Sequence, residues 1–300
     1  MMAFITSMRH PDNADDYAYN ETLLRATLAS LEQQTSDDYI VIIVGNRAPS
    51  FPLPRRTRFV EVDFAPPARV NGPHADRSGF VKDKGTKIGA GLLAAREHAP
   101  DWVMIFDADD FVHRDLVDFV GTHADSDGWV IDRGWIYSRS RNGYRRQEAF
   151  NRTCGTSYII PFDAYNVPPD LSIHSTQETL LAAYGDVLPN IMGAHRNAES
   201  WHRARGRTLR SLPFRGAVYH VDTGENHSGK ALAGVIRPLD AKLTRDFAIT
   251  SDRSRLSTLF ACLGPKPIGE SVWALVKRLL GPVYRAVRRG PHNTAARYDG

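Results

Sequence analysis

Three carboxylates stand together directly after an apolar run of the chain. Residues 102–106 read Trp-Val-Met-Ile-Phe, and Asp107, Asp109 and Asp110 follow at once. A buried strand explains the run, and the carboxyl end of such a strand is where open α/β sheets bind ligands. Because acids this close repel one another, we expect positive charge among them. Mg²⁺ or Mn²⁺ uses one or two carboxylates and fills its other positions with water and substrate phosphates. The cluster therefore predicts a phosphate-bearing substrate bridged by a metal.

A turn is the second interpretation of the same acids, since Asp is common in turns and at helix N-caps. In that case Asp110 would cap a helix over residues 115–120. A calcium loop of the EF-hand type is excluded, because it needs a Gly and a distal Glu at fixed offsets that this segment lacks.

Strand and helix patterns alternate on both sides of the acids. Buried or alternating apolar runs predict strands over residues 3–7, 39–45, 58–63 and 102–106, and helical spacing predicts helices over 20–34, capped by Asn20, and 85–95. This alternation is typical of a parallel, doubly wound sheet. Beyond residue 128 we expect shorter strands over 129–131, 134–137, 156–160 and 212–221, and a helix over 175–184 that Ser175 caps. Without a repeat or a low-complexity linker, residues 1–250 are interpreted as one domain and residues 251–300 as a tail.

Composition and charge limit the partners and the compartment that we expect for this protein. Residues 252–300 hold nine Lys or Arg and three Asp or Glu, whereas the whole chain has a net charge of +4. The rest of the chain is therefore slightly acidic, which argues against nucleic acid as a partner. Cys154 and Cys262 are far apart, which fits two buried apolar residues in a reducing compartment. We find neither a signal segment nor an apolar run of about 20 residues, and we expect a cytoplasmic protein.

The order of these motifs resembles that of family-2-type glycosyltransferases of the GT-A fold, over roughly residues 3–228. The resemblance rests on the polar loop 6–10, the Lys- and Gly-rich segment 82–91 before an Ala-rich helix, the acids 107–110 and the small residues 154–158. It implies an α/β, GT-A-like doubly wound, mainly parallel sheet that helices flank. It also implies an inverting hexosyl transfer from a nucleotide-sugar donor to a glycan or lipid-linked acceptor, with Mn²⁺ or Mg²⁺, in the synthesis of envelope polysaccharide or glycolipid.

The resemblance distributes donor roles over several residues. Asp109 is the leading metal ligand, Asp107 shares the metal or holds the donor's ribose, and Asp110 is the alternative ligand. A late His completes the metal site in several GT-A enzymes, so His220 is a further candidate, with a structural His as the alternative. The remaining expected donor contacts are Lys84, Lys87, Asn46 and Arg9. Solvated surface lysines are the alternative for the two Lys residues.

The acceptor side has fewer signals. An inverting transfer needs a base near the acceptor hydroxyl, and Glu178 matches the family's position, with a capping-box Glu as the alternative. Asn226 and His227 are expected to contact phosphate or sugar hydroxyls, and Trp201 to line the acceptor site. The chain departs from the family where residues 44–47 replace the acids that often end the second strand, and where Gln177 stands for one acid of a pair.

Two other functions remain open. A nucleotidyltransferase of similar topology would usually carry a Gly-rich, Arg- and Lys-bearing loop after its first strand, and residues 6–12 do not resemble one. A non-catalytic sugar-binding protein on a GT-A fold fits the missing acids of the second strand.

The tail contains an amphipathic, basic pattern over residues 271–280 and 283–289, and Gly281 and Pro282 are expected to kink or split it. Its apolar residues would enter the headgroup boundary while its cations meet anionic lipid, which predicts a peripheral protein at the inner face of the membrane. The alternative is a terminal helix docked on the domain by its apolar face.

Overall fold

A computed structural model describes residues 1–69, 76–224 and 231–288. Its strands are β1 (Met2–Ser7), β2 (Tyr39–Gly45), β3 (Thr57–Glu61), β4 (Trp102–Ile105), β5 (Phe111–Val112), β6 (Trp129–Val130), β7 (Arg133–Ser138), β8 (Gly143–Glu148), β9 (Tyr158–Pro161), β10 (Arg210–Ser211), β11 (Ala217–Val221) and β12 (Arg237–Pro238). Its helices are α1 (Tyr17–Glu32), α2 (Ser78–Arg96), α3 (Leu116–Thr122), α4 (Gln177–Tyr184), α5 (Ala198–Arg203), α6 (Ala241–Phe247), α7 (Arg255–Leu263) and α8 (Pro265–Arg288).

The larger sheet has the strand order β10-β6-β9-β4-β1-β2-β3 and is mainly parallel. Strand β9 runs antiparallel to both of its neighbours. Successive side chains of β1 point to opposite faces, so Phe4 packs in the cluster that contains Leu24 of α1, and Ile5 packs in the cluster that contains Leu92 of α2. Helices therefore cover both faces of the sheet, and the predicted α/β class with a doubly wound, mainly parallel sheet is confirmed.

A second sheet, of order β12-β8-β7-β11-β5, was not expected from the sequence. Its hairpin β7–β8 contains the polar run 145–148, which has no apolar alternation to predict a strand. Strand β5 follows the acid cluster and pairs antiparallel with β11, with Phe111 opposite Val218. The acids therefore lie where the chain leaves the larger sheet at β4 and enters the smaller sheet at β5.

Glycines of α2 allow close packing beside the site. A Cβ on Gly91 would lie 2.5 Å from the Ile5 side chain, and one on Gly85 would lie 2.4 Å from Leu188. Alanine at either position would clash, so the Gly residues explain how α2 lies directly on β1 and under the segment 184–192. This packing fixes the position of Lys84 on α2.

Three proposed helix caps are wrong. Helix α1 begins at Tyr17, because the Asp16 side chain accepts a hydrogen bond from the Tyr19 amide, and Asn20 lies inside the helix. Helix α4 begins at Gln177 with Thr176 as its cap, one residue after the predicted Ser175. Asp110 caps no helix, since it leads directly into β5.

The tail also differs from its prediction. Helix α8 begins at Pro265 and continues through Gly281 and Pro282 to Arg288, so these two residues do not split it. Pro282 removes one backbone donor, and the hydrogen bonds of the turns on either side remain available. Among the residues described, no helix has both the length and the apolar character required to cross a membrane.

Candidate functional site

Asp110 is the buried anchor of the acid cluster. Its Oδ2 accepts hydrogen bonds from Cys154 Sγ at 2.9 Å and Thr156 Oγ1 at 2.5 Å, and its Oδ1 accepts from the His220 amide at 3.1 Å. The side chain has no exposed surface. Both carboxyl oxygens are thus engaged by β11 and by the segment before β9, which ties the two sheets together at this point.

Charge and burial act together on this anchor. Burial, then the neighbouring Asp109 and Asp107, raise the pKa of Asp110 well above its usual range. Burial and the same carboxylates also raise the pKa of the Cys154 thiol. Cys154 is therefore a neutral hydrogen-bond donor in the site, and it confirms the expectation of a buried cysteine.

Asp107 faces a cation. Lys84 Nζ lies 2.5 Å from Asp107 Oδ1, and both side chains are about one-third exposed. Burial alone lowers the pKa of Lys84, but the Asp107 carboxylate outweighs burial and the pKa is raised. Lys84 is therefore a charged ammonium that remains open to a ligand from the solvent side.

Asp109 is the third acid, and it is partly exposed. Burial and the charge of Asp107 raise its pKa to about 7, while the cations of Lys84 and Arg9 oppose the shift. The structure thus brings Arg9, from the loop after β1, into the electrostatic neighbourhood of the acids. Arg9 and Lys84 supply part of the positive charge that the sequence led us to expect.

The described residues include a group that can hold a metal. Ligand atoms of Asp107, Asp110 and Cys154 lie within 4.8 Å of one another. A hard cation such as Mg²⁺ or Mn²⁺ prefers oxygen ligands, so the neutral thiol of Cys154 does not suit it. The oxygens of Asp110 already accept three hydrogen bonds. Asp107 is therefore the member of this group that fits a hard cation, and the expected metal role of Asp109, which is not part of the group, stays a prediction.

His220 stands beside this group and is fully buried. Its Nδ1 lies 3.2 Å from the backbone oxygen of Asp109, and its ring packs between Phe111 and Tyr137 with centroid distances of 5.3 and 5.4 Å. Burial, with a smaller contribution from Arg139, lowers the pKa of His220 to about 4. These contacts favour the structural alternative, and its role as a metal ligand stays a prediction.

A small cavity adjoins Lys84. It measures about 20 Å³, room for one water molecule, and its lining includes Gly155, His195 and His202. A Cβ on Gly155 would lie 3.0 Å from Asp107 Oδ2 and 3.5 Å from His195 Nδ1. Gly155 therefore permits the close approach of Asp107 and His195. Sequence reasoning missed His195, since it belongs to no motif and only the fold brings it beside Gly155.

Two of the expected donor contacts have internal partners. Lys87 has no exposed surface, and its Nζ bonds to Asp83 Oδ2 at 2.9 Å and Met8 O at 3.1 Å. It connects α2 to the end of β1 and points away from solvent. Asn46 Nδ2 donates to the backbone oxygens of Val62 and Phe64, so its amide holds the segment after β3.

The acceptor-side candidates lie apart. Glu178 is 75% exposed in the first turn of α4, with its carboxylate 3.6 Å from Lys82 Nζ. Trp201 is half-buried in α5, and the guanidinium carbon of Arg205 lies 3.3 Å from its ring centroid. Asn226 and His227 lie outside the described residues, and their predicted contacts stay predictions.

Comparison with known proteins leaves the family open. No protein-family model matches the chain, and no curated protein matches it. Among solved structures, the chain is similar to S. aureus TarS at 10% identity and a TM-score of 0.38, covering 73% of this chain and 36% of TarS. It is also similar to a putative nucleotide-diphospho-sugar transferase from Desulfovibrio desulfuricans G20 at 12% identity and a TM-score of 0.32, covering 74% and 82%.

A third similar structure is the 2-C-methyl-D-erythritol 4-phosphate cytidylyltransferase from Thermus thermophilus, at 14% identity and a TM-score of 0.30, covering 87% of this chain and 96% of that one. The chain spans about a third of the length of TarS. At these identities and TM-scores, the similarity assigns neither a family nor an activity to this chain.

Proposed function

We propose that this chain is a glycosyltransferase that transfers a sugar from a nucleotide-sugar donor to a glycan or lipid-linked acceptor, on the cytoplasmic side of a membrane. The observation that carries the proposal is the pairing of Lys84 with Asp107 at the carboxyl end of β4, beside Asp109 and Arg9. Two acids at the end of β4, with Lys84 from α2 and Arg9 from the loop after β1, match a diphosphate with its counter-ion. The inverting stereochemistry and the hexosyl group are parts of the same proposal.

The difficult step in such a transfer is expulsion of the nucleoside diphosphate from the anomeric carbon. Negative charge builds on the leaving phosphate, and fixed cations lower the barrier when they face it in a partly water-excluded site. Lys84 is held by Asp107, and Arg9 lies close enough to Asp109 to oppose its pKa shift. Lys84 is in place before a donor binds, so little reorganisation of this cation accompanies the reaction.

Asp107 and Asp109 would hold Mn²⁺ or Mg²⁺. A bound divalent cation supplies charge neutralisation at both phosphates of the leaving group. Asp110 acts indirectly, since its hydrogen bonds to Cys154, Thr156 and the His220 amide fix the chain directly after the other two acids.

Two residues are candidates for the base that activates the acceptor hydroxyl. Glu178 is the candidate from the family position, and it is solvent-exposed on α4. His195 is the candidate from geometry, because its Nδ1 and the Asp107 carboxylate both approach Gly155.

Thermal stabilisation by UDP-, GDP-, dTDP- and CMP-sugars, with and without Mn²⁺, tests the proposal. A ligand at about 100 times its Kd stabilises the native state by about 2.7 kcal/mol. We expect one nucleotide sugar to stabilise the chain more with Mn²⁺ than without it. Lys84→Met should remove most of this effect, whereas Lys82→Met, a half-buried lysine two residues away that pairs with Glu178, should not.

A second assay distinguishes the alternatives. A glycosyltransferase releases the nucleoside diphosphate or monophosphate from its donor, whereas a nucleotidyltransferase makes the nucleotide sugar from a nucleoside triphosphate and releases pyrophosphate. Stabilisation by a nucleoside triphosphate together with pyrophosphate release would replace our proposal by the second function. Stabilisation by sugars alone would favour the non-catalytic alternative.

A further inference from the structure

Helix α7 carries its apolar residues on the solvent side. Thr258 and Cys262, four residues apart, face the body, and Thr258 accepts a hydrogen bond from the Asn142 amide at 3.0 Å. Leu256 and Phe260 are 81% and 70% exposed. Leu263 and Leu259 are also exposed. A surface helix normally buries its apolar stripe, whereas α7 exposes its apolar stripe to solvent.

Helix α8 meets the body through polar groups. Glu270 Oε2 accepts a hydrogen bond from the Gly234 amide at 2.7 Å, and Ser271 Oγ accepts from the Val235 amide at 2.8 Å. These two adjacent residues fix which side of the helix faces inward. The helix is therefore docked by its polar side.

The apolar residues of α8 are not covered by these contacts. Ile268, Val272, Leu275 and Leu279 follow a spacing of four, three and four residues, which places them on one face. All four are exposed, up to 64% at Leu279. The alternative of a terminal helix that buries its apolar face in the domain is therefore wrong for residues 265–280.

Basic residues border the apolar ones. Arg253, Arg255, Lys266, Lys277 and Arg278 accompany the exposed apolar residues of α7 and α8, against Asp252 and Glu270 as the acids in residues 252–288. Lys277 Nζ lies 5.3 Å from the centroid of the Trp273 ring, and Trp273 is itself exposed. An interfacial helix has this combination of an apolar face, a Trp and flanking cations.

The length of α8 and the charge around the exposed apolar residues of α7 and α8 indicate which partner binds there. At 1.5 Å per residue, α8 is about 36 Å long, and it lacks the apolar length to cross a bilayer. A flat apolar area with a cationic border is complementary to an anionic bilayer, in which the cations meet phosphate and the apolar side chains reach the acyl boundary. A second copy of the chain would bring the same cations together and would repel itself.

We propose that the solvent-facing sides of α7 and α8, named here the α7–α8 surface, bind an anionic lipid bilayer in the plane of the membrane. The inference goes beyond the proposed function and uses none of the residues of the acid cluster. It also gives the active site a fixed height above the bilayer, as a lipid-linked acceptor would require.

Co-sedimentation of the full chain with vesicles tests this inference. We expect binding to phosphatidylcholine vesicles that contain phosphatidylglycerol, weak binding to phosphatidylcholine alone, and loss of binding at high salt. Because each basic residue near an anionic surface contributes about a fivefold factor, Lys277→Ala with Arg278→Ala should lower the partition coefficient about 25-fold.

Apolar variants test the insertion step. Leu275→Ser with Leu279→Ser, and separately Leu256→Ser with Phe260→Ser, should each lower partitioning at least about tenfold. These side chains are exposed, so circular dichroism and the Tm should not change. Leu181→Ser on α4 replaces an exposed leucine outside the surface and is the matched control. Quenching of tryptophan fluorescence by brominated acyl chains should occur in the wild type and be lost in Trp273→Phe.

Two outcomes would overturn the inference. In the first, the intact chain does not co-sediment with anionic vesicles at low salt. In the second, the chain sediments as a dimer that the α7 and α8 serine variants dissociate, and the surface is then an interface between copies. Failure of the donor screen would leave the vesicle result unaffected, so the two proposals fail separately.

Discussion

Lys84 Nζ and Asp107 Oδ1 lie 2.5 Å apart, although one residue belongs to a helix on a face of the larger sheet and the other follows its fourth strand. The pair places a cation among three carboxylates within the protein itself. Because both side chains are only partly buried, a ligand phosphate can approach the ammonium while a metal approaches the carboxylate.

Asp109→Ala should abolish Mn²⁺-dependent nucleotide binding and leave the fold intact, because the side chain is partly exposed and contributes little to the core. Calorimetric titration of the nucleotide with and without Mn²⁺ measures the effect. Asp118→Ala, an exposed acid on α3, is the control and should bind as the wild type does. Unchanged affinity in Asp109→Ala would remove the metal from the proposal.

Gly155→Ala should weaken nucleotide binding about tenfold, since the new Cβ would lie 3.0 Å from Asp107 Oδ2 and displace a carboxylate that Lys84 holds. Gly121→Ala on α3 is the matched control, because a Cβ there meets nothing within 4 Å. It should leave binding unchanged and stabilise the protein by about 0.5–1 kcal/mol. Equal affinities for the two variants would show that the site tolerates the shift.

Glu178→Gln should retain donor binding and lower turnover by about 10²–10⁴ if Glu178 is the base. If His195 is the base instead, His195→Gln should retain donor binding and lower turnover in the same way. Single-turnover transfer, measured together with donor affinity, separates the two. Near-normal turnover in both variants would favour a retaining mechanism, which NMR analysis of the product anomer decides.

His202→Leu should remove a pH dependence of stability. Burial, with Arg207 and Arg205, lowers the pKa of His202 from 6.5 to about 4, and neither ring nitrogen has a hydrogen-bond partner among the described residues. Below pH 6.5 the unfolded chain therefore binds a proton at His202 that the folded protein does not bind. The free energy of unfolding falls as the pH decreases from 6.5 towards 4.

The decrease in the free energy of unfolding that His202 causes should reach about 2 kcal/mol at pH 5 relative to pH 7. Urea unfolding at the two pH values measures it in the wild type, in His202→Leu and in His98→Leu, which replaces an exposed histidine. The wild type and His98→Leu should lose this stability, and His202→Leu should lose about 2 kcal/mol less. The same loss in all three proteins would contradict a neutral, buried His202.

Local patterns were sufficient for the parallel core of the fold. Residues 39–45 form a continuous β-branched run, and such a run suits a strand covered on both faces, as β2 is. The abrupt change from apolar residues to Asp107 placed the acids at a strand end correctly. Both signals depend on neighbours in the chain, which is why the sequence alone determined the parallel strands β1 to β4 and the position of the acid cluster.

Contacts between distant segments were decided only by the tertiary structure. Burial by β11 and by residues 154–156 made Asp110 a hydrogen-bonded anchor. The packing of α2 on β1 placed Lys84 beside Asp107 and placed Lys87 in the protein interior. His195 came to the site without any motif. Helices α7 and α8 are amphipathic in sequence, yet periodicity cannot say which face meets the body. That orientation depended on Glu270 and Ser271 bonding to a loop 36 residues earlier in the chain.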